Sequence, residues 1–160
     1  QAMKNGLRTA EEERAVISSM RALNDRAARE AASAGVRAAT DVTGFGLIGH
    51  AANLAVHSGV EVVLRASALP LLPGVQAYAA AGVVPGTAAV NRRGYGDTLV
   101  VEAAVPAWAV EVVSDPQTSG GLLLAVPGER AAALAARLGA ALVGQVESLD
   151  GRPPSVRLIP

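Results

Sequence analysis

The chain has 160 residues, of which 51% are hydrophobic, and its 14 basic side chains balance 14 acidic ones. This length suits a single domain, 1–160, and the apolar content excludes a disordered chain. The chain has only one Trp, two Tyr and one Phe and carries no net charge, which excludes the basic, base-stacking surface of a nucleic-acid binder. No run approaches the roughly 20 apolar residues that cross a bilayer, and the polar N-terminus lacks a signal peptide. The chain contains no cysteine and so forms no disulfide. We expect a cytoplasmic protein with no nucleic-acid or membrane partner.

The first half of the chain predicts an alternation of helices and strands. Thr9 and Glu12 form a capping-box pattern, in which a hydroxyl and a carboxylate satisfy the free N–H groups of a helix start. The apolar residues behind them recur at helical spacing, so we predict one helix from this start to about Ala34, ended by Gly35. We then predict a strand over 36–42, a helix over 47–59, a strand over 60–66 and a helix over 73–82.

The second half begins with a segment rich in Pro, Gly and Asn, 83–97, for which we predict a loop. Residues 98–105 are ambiguous, and 107–114 fit either a short helix or a strand. The remaining patterns predict a strand over 120–126, a helix over 127–139 and closing strands over 141–148 and 155–159. This irregular order of elements predicts an α+β fold, a mixed β-sheet with packed helices, rather than a doubly wound parallel sheet.

The run ATDVTGFGLIGH places a carboxylate, Asp41, between a predicted strand and a glycine-rich turn. Thr43, Gly44 and Gly46 then lead into the next helix. Backbone N–H groups at a helix start favour anions, and glycines let the backbone approach a phosphate closely. Because Mg²⁺ takes one or two carboxylates together with phosphate oxygens and waters, the run suits a metal-bridged phosphate site. The alternative is that Asp41 or Thr43 only caps the helix and the glycines only turn the chain.

A second run, DPQTSGG, has the same character. Asp115 is followed by two hydroxyls, Thr118 and Ser119, and by Gly120 and Gly121 before an apolar strand. This pattern indicates either a phosphate loop or an Asp-Pro turn with capped backbone groups. Neither run is a Walker A loop, because no Gly-Lys-Ser/Thr follows, and neither is a dinucleotide fingerprint.

Other polar residues are weaker candidates. His50 and His57 share one face of the predicted helix, but two histidines without a third ligand make a poor metal site, so an ordinary buried or surface role is favoured. Arg92 and Arg93, beside Asn91, could bind a phosphate, although a solvated pair on a loop is commoner.

The two glycine-rich runs together resemble the selenophosphate synthetase, or selenide, water dikinase, family. The likeness extends through MRALNDRAAREAASAGVRAATDVTGFG, LPLLPGVQAYAAAGVVPGTAAVNRR and LVGQVE, and so covers nearly the whole chain. It is a likeness to the C-terminal domain of that family, a domain type shared with aminoimidazole ribonucleotide synthetase. The resemblance implies the same fold: an α+β unit with a mixed sheet and helices packed on it.

The family reaction that the resemblance implies converts ATP, selenide and water to selenophosphate, AMP and phosphate, with Mg²⁺ bridging the phosphates. It implies that Asp41 is a Mg²⁺ ligand. It also implies that the other residues of the two runs lie near the ATP phosphates, together with an asparagine that matches the family less closely: Thr43, Gly44, Gly46, Asn91, Asp115, Thr118, Ser119, Gly120 and Gly121. No catalytic residue of the family falls in this chain.

The resemblance further implies a partner, the N-terminal domain of the same protein, which in this family carries the glycine-rich ATP segment, further metal carboxylates and a lysine. We expect a homodimer when the protein is full length and no turnover by this chain alone. We also expect weak self-association of this chain or an apolar groove near Asp41, where the other domain would lie. Two alternatives stay open: a related ATP-using enzyme of the same superfamily, and a free-standing module that binds a nucleotide or a partner.

Overall fold

A computed structural model describes all residues, 1–160, as seven helices and six strands. The helices are α1 (Ala10–Arg21), α2 (Asp25–Ser33), α3 (Gly46–Ser58), α4 (Val75–Ala80), α5 (Gly86–Gly94), α6 (Ala107–Ser114) and α7 (Gly128–Leu138). The strands are β1 (Ala38–Asp41), β2 (Glu61–Arg65), β3 (Leu99–Val101), β4 (Leu122–Ala125), β5 (Gly144–Glu147) and β6 (Ser155–Ile159). A short 3₁₀ turn, Ala66–Ala68, follows β2. None of the helices combines the length and the apolar character that crossing a bilayer requires.

Four strands form the mixed sheet that the sequence predicts, in the order β3-β6-β2-β5. β6 runs parallel to both β2 and β3, whereas β5 runs antiparallel to β2. The central strand β2 is buried along Glu61–Leu64, which explains the apolar run Val62, Val63 and Leu64 in its middle. With helices packed on this sheet, the fold is α+β.

The remaining strands, β1 and β4, form a separate antiparallel pair. Asp41, the last residue of β1, lies opposite Leu122, the first residue of β4. The strand that carries the candidate metal ligand is therefore not part of the main sheet. It is connected to the core mainly through α3, which contacts both sheets.

The hydrophobic core lies between α3, α6 and one face of the four-stranded sheet. Its buried members are all aliphatic, as the scarcity of aromatic residues predicts. They are Ile48, Ala51, Ala52, Ala55, Val62, Leu64, Ala66, Ala109, Val113, Val156 and Leu158. The alanines of α3 let this helix lie close to the sheet, so that its first turn, beside the glycine-rich run, is held firmly.

The single helix predicted from Thr9 to Ala34 is wrong in one respect. The capping box is present, with Thr9 Oγ1 accepting from Glu12 N and Glu12 Oε2 accepting from Thr9 N. The helix nevertheless breaks over 22–24, giving α1 and α2. Two tertiary hydrogen bonds explain the break: Asn24 Nδ2 donates to Gly120 O (2.9 Å) and Ser119 Oγ donates to Met20 O (3.0 Å).

The loop predicted over 83–97 is also wrong, because most of it forms α5. Pro85 immediately precedes the helix, a position where proline's missing N–H costs nothing. Ala88 and Asn91 are buried by packing against neighbouring elements, so tertiary contacts stabilise a helix that its glycine and asparagine content does not favour. The segment 107–114, left open between helix and strand, is the helix α6.

A buried acidic residue, Glu61, lies on the polar face of the main sheet. Its carboxylate accepts hydrogen bonds from Ser155 Oγ (3.0 Å) and Arg157 Nε (3.1 Å), and it pairs with Arg152 (3.4 Å). Arg157 also pairs with Glu147 (2.7 Å) and Glu102 (3.2 Å). The network joins the ends of all four strands, and every charge in it has a partner of opposite sign.

We predict that this network makes the fold less stable as the pH falls. Burial alone raises the pKa of the Glu61 carboxyl, but hydrogen bonds from Ser155 and Arg157 and the charges of Arg157 and Arg152 outweigh burial, so the pKa lies below its ordinary value of 4.5. A carboxyl with a lowered folded-state pKa stabilises the fold above its ordinary pKa, and that contribution is lost as the pH falls through the folded-state pKa. Urea unfolding at a series of pH values measures this loss.

The variant that tests this is Glu61→Gln, which keeps the shape of the side chain and one acceptor oxygen but removes the charge and replaces the second acceptor oxygen by a donor. We expect this change to lower the free energy of unfolding by about 2 kcal/mol at neutral pH and to make its decline in acid shallower. An unchanged acid decline in Glu61→Gln would show that other carboxylates cause it.

Candidate functional site

The structure brings the two glycine-rich runs into direct contact. Val42 N donates to Gly121 O (2.9 Å), and Gln117 N donates to Thr43 O (3.0 Å). Because these bonds continue the β1–β4 pairing beyond its end, the turn after β1 and the turn before β4 form one continuous backbone surface. Two segments that are far apart in the sequence thus make a single site.

Asp41 lies at the edge of this surface. Its side chain is exposed, and its carboxylate takes part in none of the ion pairs of the chain. No group of three or more His, Cys, Asp or Glu residues in the chain could hold a metal ion by itself. The donor set therefore fits Mg²⁺ as one free, hard oxygen ligand of an ion whose other ligands come from outside this chain.

Neither Asp41 nor Thr43 caps the following helix. The residue before α3 is Phe45, and no side chain caps the helix start. The hydroxyl of Thr43 instead lies 3.2 Å from His50 Nε2. The simpler interpretation of this run, a capped turn, does not describe the structure.

Gly46 and Gly120 allow the closest approaches within the site. Gly46 has a φ of +67°, and a Cβ added to it would lie 2.9 Å from the backbone oxygens of Val113 and Ser114. A Cβ added to Gly120 would overlap the backbone oxygen of Val42. These two glycines therefore let the turns pack directly on neighbouring backbone, whereas a Cβ on Gly44 or Gly121 would meet nothing within 4 Å.

Asn91 is buried in α5, and its side chain links the first run to the residue just before the second. Its Nδ2 donates to Gly44 O (3.0 Å) in the first run and to Ser114 O (3.0 Å) just before the second. Both of its amide hydrogens are therefore used within the protein. The observed contacts of Asn91 hold backbone rather than face outward, and its place near the ATP phosphates stays a prediction.

The polar side chains of the second run differ in how they are held. Gln117 Nε2 donates to Asp115 Oδ2 (2.9 Å). Burial raises the pKa of the Asp115 carboxyl, while the hydrogen bond from Gln117 acts in the opposite direction. Thr118 and Ser119 are both exposed, and of the two hydroxyls only that of Ser119 makes a hydrogen bond within the chain, to Met20 O.

His50 is the residue of this site that the sequence reasoning missed. It is 7% exposed, and its Nε2 accepts from Thr43 N (2.9 Å) while its Nδ1 lies 3.3 Å from Thr40 Oγ1. His57, in the last turn of α3, is exposed. Arg92 forms an ion pair with Glu111 of α6, so it is not a free cation beside the site. In the sequence, His50 stood out only as a poor metal ligand, and no local signal marked its contacts with Thr40 and Thr43.

A mostly apolar groove lies between α2 and the β1–β4 pair, and Asp41 is one of the residues that line it. Its lining residues come from α2, from the segment that follows it and from the two strands: Ala28, Ala31, Ala32, Val36, Ala39, Thr40, Asp41, Leu122 and Leu124. Phe45, on the turn that follows Asp41, is 53% exposed. Apolar surface therefore surrounds the candidate metal ligand on more than one side.

Comparison with known proteins gives two consistent results. A family model described as "AIR synthase related protein, C-terminal domain" matches residues 3–151. Curated relatives named "Selenide, water dikinase" are similar to most of the chain. The protein of Bordetella bronchiseptica is 44% identical over 140 residues, which are 86% of this chain and 40% of the relative.

The corresponding protein of Aeromonas hydrophila is 42% identical over 155 residues, which are 94% of this chain and 44% of the relative. That of Yersinia pestis is 42% identical over 130 residues, 78% of this chain and 36% of the relative. The chain therefore spans about two fifths of the length of the curated relatives that it matches.

Proposed function

We propose the function of this chain from its family, because it belongs to the AIR synthase-related proteins and corresponds to their C-terminal domain. We propose that it is the C-terminal domain of an enzyme that makes selenophosphate from selenide, ATP and water, with AMP and phosphate as the other products. Relatives 40–44% identical to it carry the name of that activity. The proposed setting is the cytoplasm, and the proposed partners are the N-terminal domain of the same protein and a second copy of the full-length protein.

The observation that carries this proposal is the joining of the two glycine-rich runs beside a free carboxylate. Hydrogen bonds from Val42 to Gly121 and from Gln117 to Thr43 bring the turns together, and Asp41 lies exposed at their edge. A carboxylate of this kind suits an ion that is shared with phosphate oxygens and with carboxylates from another domain. Mg²⁺ bound there would neutralise charge that develops on the transferred phosphate.

The chain's own residues have three tasks in this proposal. Asp41 supplies one oxygen ligand. The backbone of Gly44 and the side chain of Thr118 are exposed polar groups to which ATP phosphates could bind, while Thr43 holds the turn through its bonds to His50 and Gln117. The mostly apolar groove that Asp41 helps to line gives the N-terminal domain a surface to cover, and this would exclude water from the phosphates.

One carboxylate does not hold Mg²⁺–ATP tightly, so we propose that this chain alone does not turn over substrate. The test is carried out on the full-length protein, by following phosphorus-containing products with NMR. We expect ATP to give AMP, orthophosphate and a phosphorus–selenium product when selenide is present, and we expect this conversion to stop when Mg²⁺ is chelated. This chain assayed alone in parallel should give none.

Two other results would favour the alternatives. Consumption of ATP without any dependence on selenide would point to a related superfamily enzyme with a different small substrate. Nucleotide binding by this chain with no ATP consumption by the full-length protein would point to a binding module.

A further inference from the structure

We infer that His50 is a positioning residue, which holds the backbone on both sides of Asp41 so that its carboxylate is placed for Mg²⁺ before the ion binds. The inference rests on the proposed function, since it needs Asp41 to be a metal ligand. It concerns a residue whose contacts all lie inside the chain, and it assigns a purpose to the one histidine that the structure buries.

The first step concerns the two ring nitrogens of His50. Because the Thr43 N–H points at Nε2 from 2.9 Å, Nε2 has to accept and therefore carries no hydrogen. The hydrogen of the neutral ring then lies on Nδ1, which faces Thr40 Oγ1 at 3.3 Å. The Thr40 hydroxyl in turn donates to Asp41 O at 3.0 Å. The contacts form one directed series from Thr43, through the ring, to the carbonyl of Asp41.

The second step concerns where this series begins and ends. Thr40 and Thr43 flank Asp41 closely in the sequence, so one imidazole ring fixes the backbone before and after the candidate ligand. The ring is itself anchored, because α3 packs into the core through Ile48 and Ala51, both fully buried. The ring of Phe45 packs on it with centroids 5.8 Å apart.

The third step concerns the side chain of Asp41. That side chain is exposed and forms no ion pair, so its own contacts do not determine where its oxygens lie. Its position therefore depends on the backbone that carries it. Residues that orient a metal ligand in this indirect way typically change metal affinity by 10–100-fold when they are replaced, even though they do not touch the metal.

The experiment uses the full-length protein and compares His50→Leu with His50→Gln. Leucine fills the same space without an acceptor, whereas the glutamine amide oxygen can reach the position of Nε2 and accept from Thr43 N. We expect the Mg²⁺ concentration for half-maximal activity to rise about tenfold in His50→Leu and to return most of the way in His50→Gln, with kcat at saturating Mg²⁺ little changed. Hydrogen exchange of the segment around Thr43, measured without Mg²⁺, should be faster in His50→Leu only.

His57→Leu is the matched control, because it removes the exposed histidine of the same helix and should change neither measurement. If His50→Leu does not fold, Thr40→Val removes the hydroxyl between the ring and Asp41 O, and it should raise the Mg²⁺ requirement severalfold. A fall in kcat or in melting temperature with an unchanged Mg²⁺ requirement would overturn the inference, since that result describes a purely structural histidine.

Asp41→Asn, measured in the same series, separates the two proposals. A Mg²⁺ requirement that rises in Asp41→Asn but not in His50→Leu contradicts the positioning role alone. A Mg²⁺ requirement that is unchanged in Asp41→Asn contradicts the metal assignment in the proposed function, and with it the premise of this inference.

Discussion

Replacing Asp41 by asparagine in the full-length protein is expected to lower selenide-dependent AMP release on the order of 100-fold, which corresponds to about 2.7 kcal/mol of transition-state stabilisation. Asparagine keeps the size of the side chain and one oxygen, but it removes the negative charge that a hard cation requires. Because the Asp41 carboxylate is exposed and unpaired, the change should leave the fold intact. The measurement is the rate of AMP release over a series of Mg²⁺ concentrations, with a thermal melt of each protein.

Asp150→Asn is a suitable control for this experiment. Asp150 is an exposed aspartate in the turn between β5 and β6, and its φ of 48° is one that asparagine tolerates. The same loss of charge there should leave the rate within about twofold, because it is a surface substitution away from the site. Near-normal activity in Asp41→Asn would reduce the glycine-rich run to a structural turn, and the likeness to the selenide, water dikinases would then describe ancestry more than chemistry.

Replacing Gly46 by alanine is expected to lower the free energy of unfolding by about 3 kcal/mol. Two costs add: a left-handed backbone costs an L-residue about 1–2 kcal/mol, and overpacking a close contact costs about 1–3 kcal/mol. Both apply here, since Gly46 has a φ of +67° and its new methyl group would lie 2.9 Å from the backbone oxygen of Ser114. For a chain of this size, thermal melting should show the midpoint falling by roughly 6–12 °C.

Gly44→Ala is the matched control, two residues earlier in the same turn. An added methyl group there meets nothing within 4 Å, and Gly44 is not among the residues with positive φ, so we expect a change of less than about 1 kcal/mol. Equal destabilisation by the two substitutions would mean that the turn needs flexibility in general rather than one close approach to α6.

Local signals in the sequence predicted elements that local interactions stabilise. The capping box at Thr9 and the glycine after α3, Gly59 with a φ of 64°, mark helix ends through contacts between near neighbours, and both were predicted. The break before Asn24 and the helix α5 were not predicted. Each depends on a contact with a distant segment, such as the bond from Asn24 to Gly120, and no window of sequence contains both partners.

In the candidate site, too, the residues could be identified as candidates from the sequence, but the contacts between distant segments could not be predicted. The residue types at Asp41 and in the two glycine-rich runs indicated metal and phosphate chemistry from spacing and composition. Their contact with each other could not be predicted, because it follows from the pairing of β1 with β4. The inward contacts of Asn91 and His50 were missed for a related reason: burial of a polar side chain is decided by what packs over it, not by its neighbours in the chain.

The pairing of Asp41 with Leu122 also determines when this turn can form. The two residues are about 80 positions apart, and closing a loop of that length costs on the order of 4 kcal/mol in chain entropy. During synthesis on the ribosome, β1 emerges before β4, so the nascent chain carries an unpaired strand edge while about 80 further residues are added. The turn that carries Asp41 is therefore completed only after β4 has been synthesised, and a chain that ends before β4 would contain this carboxylate without the second run that frames it.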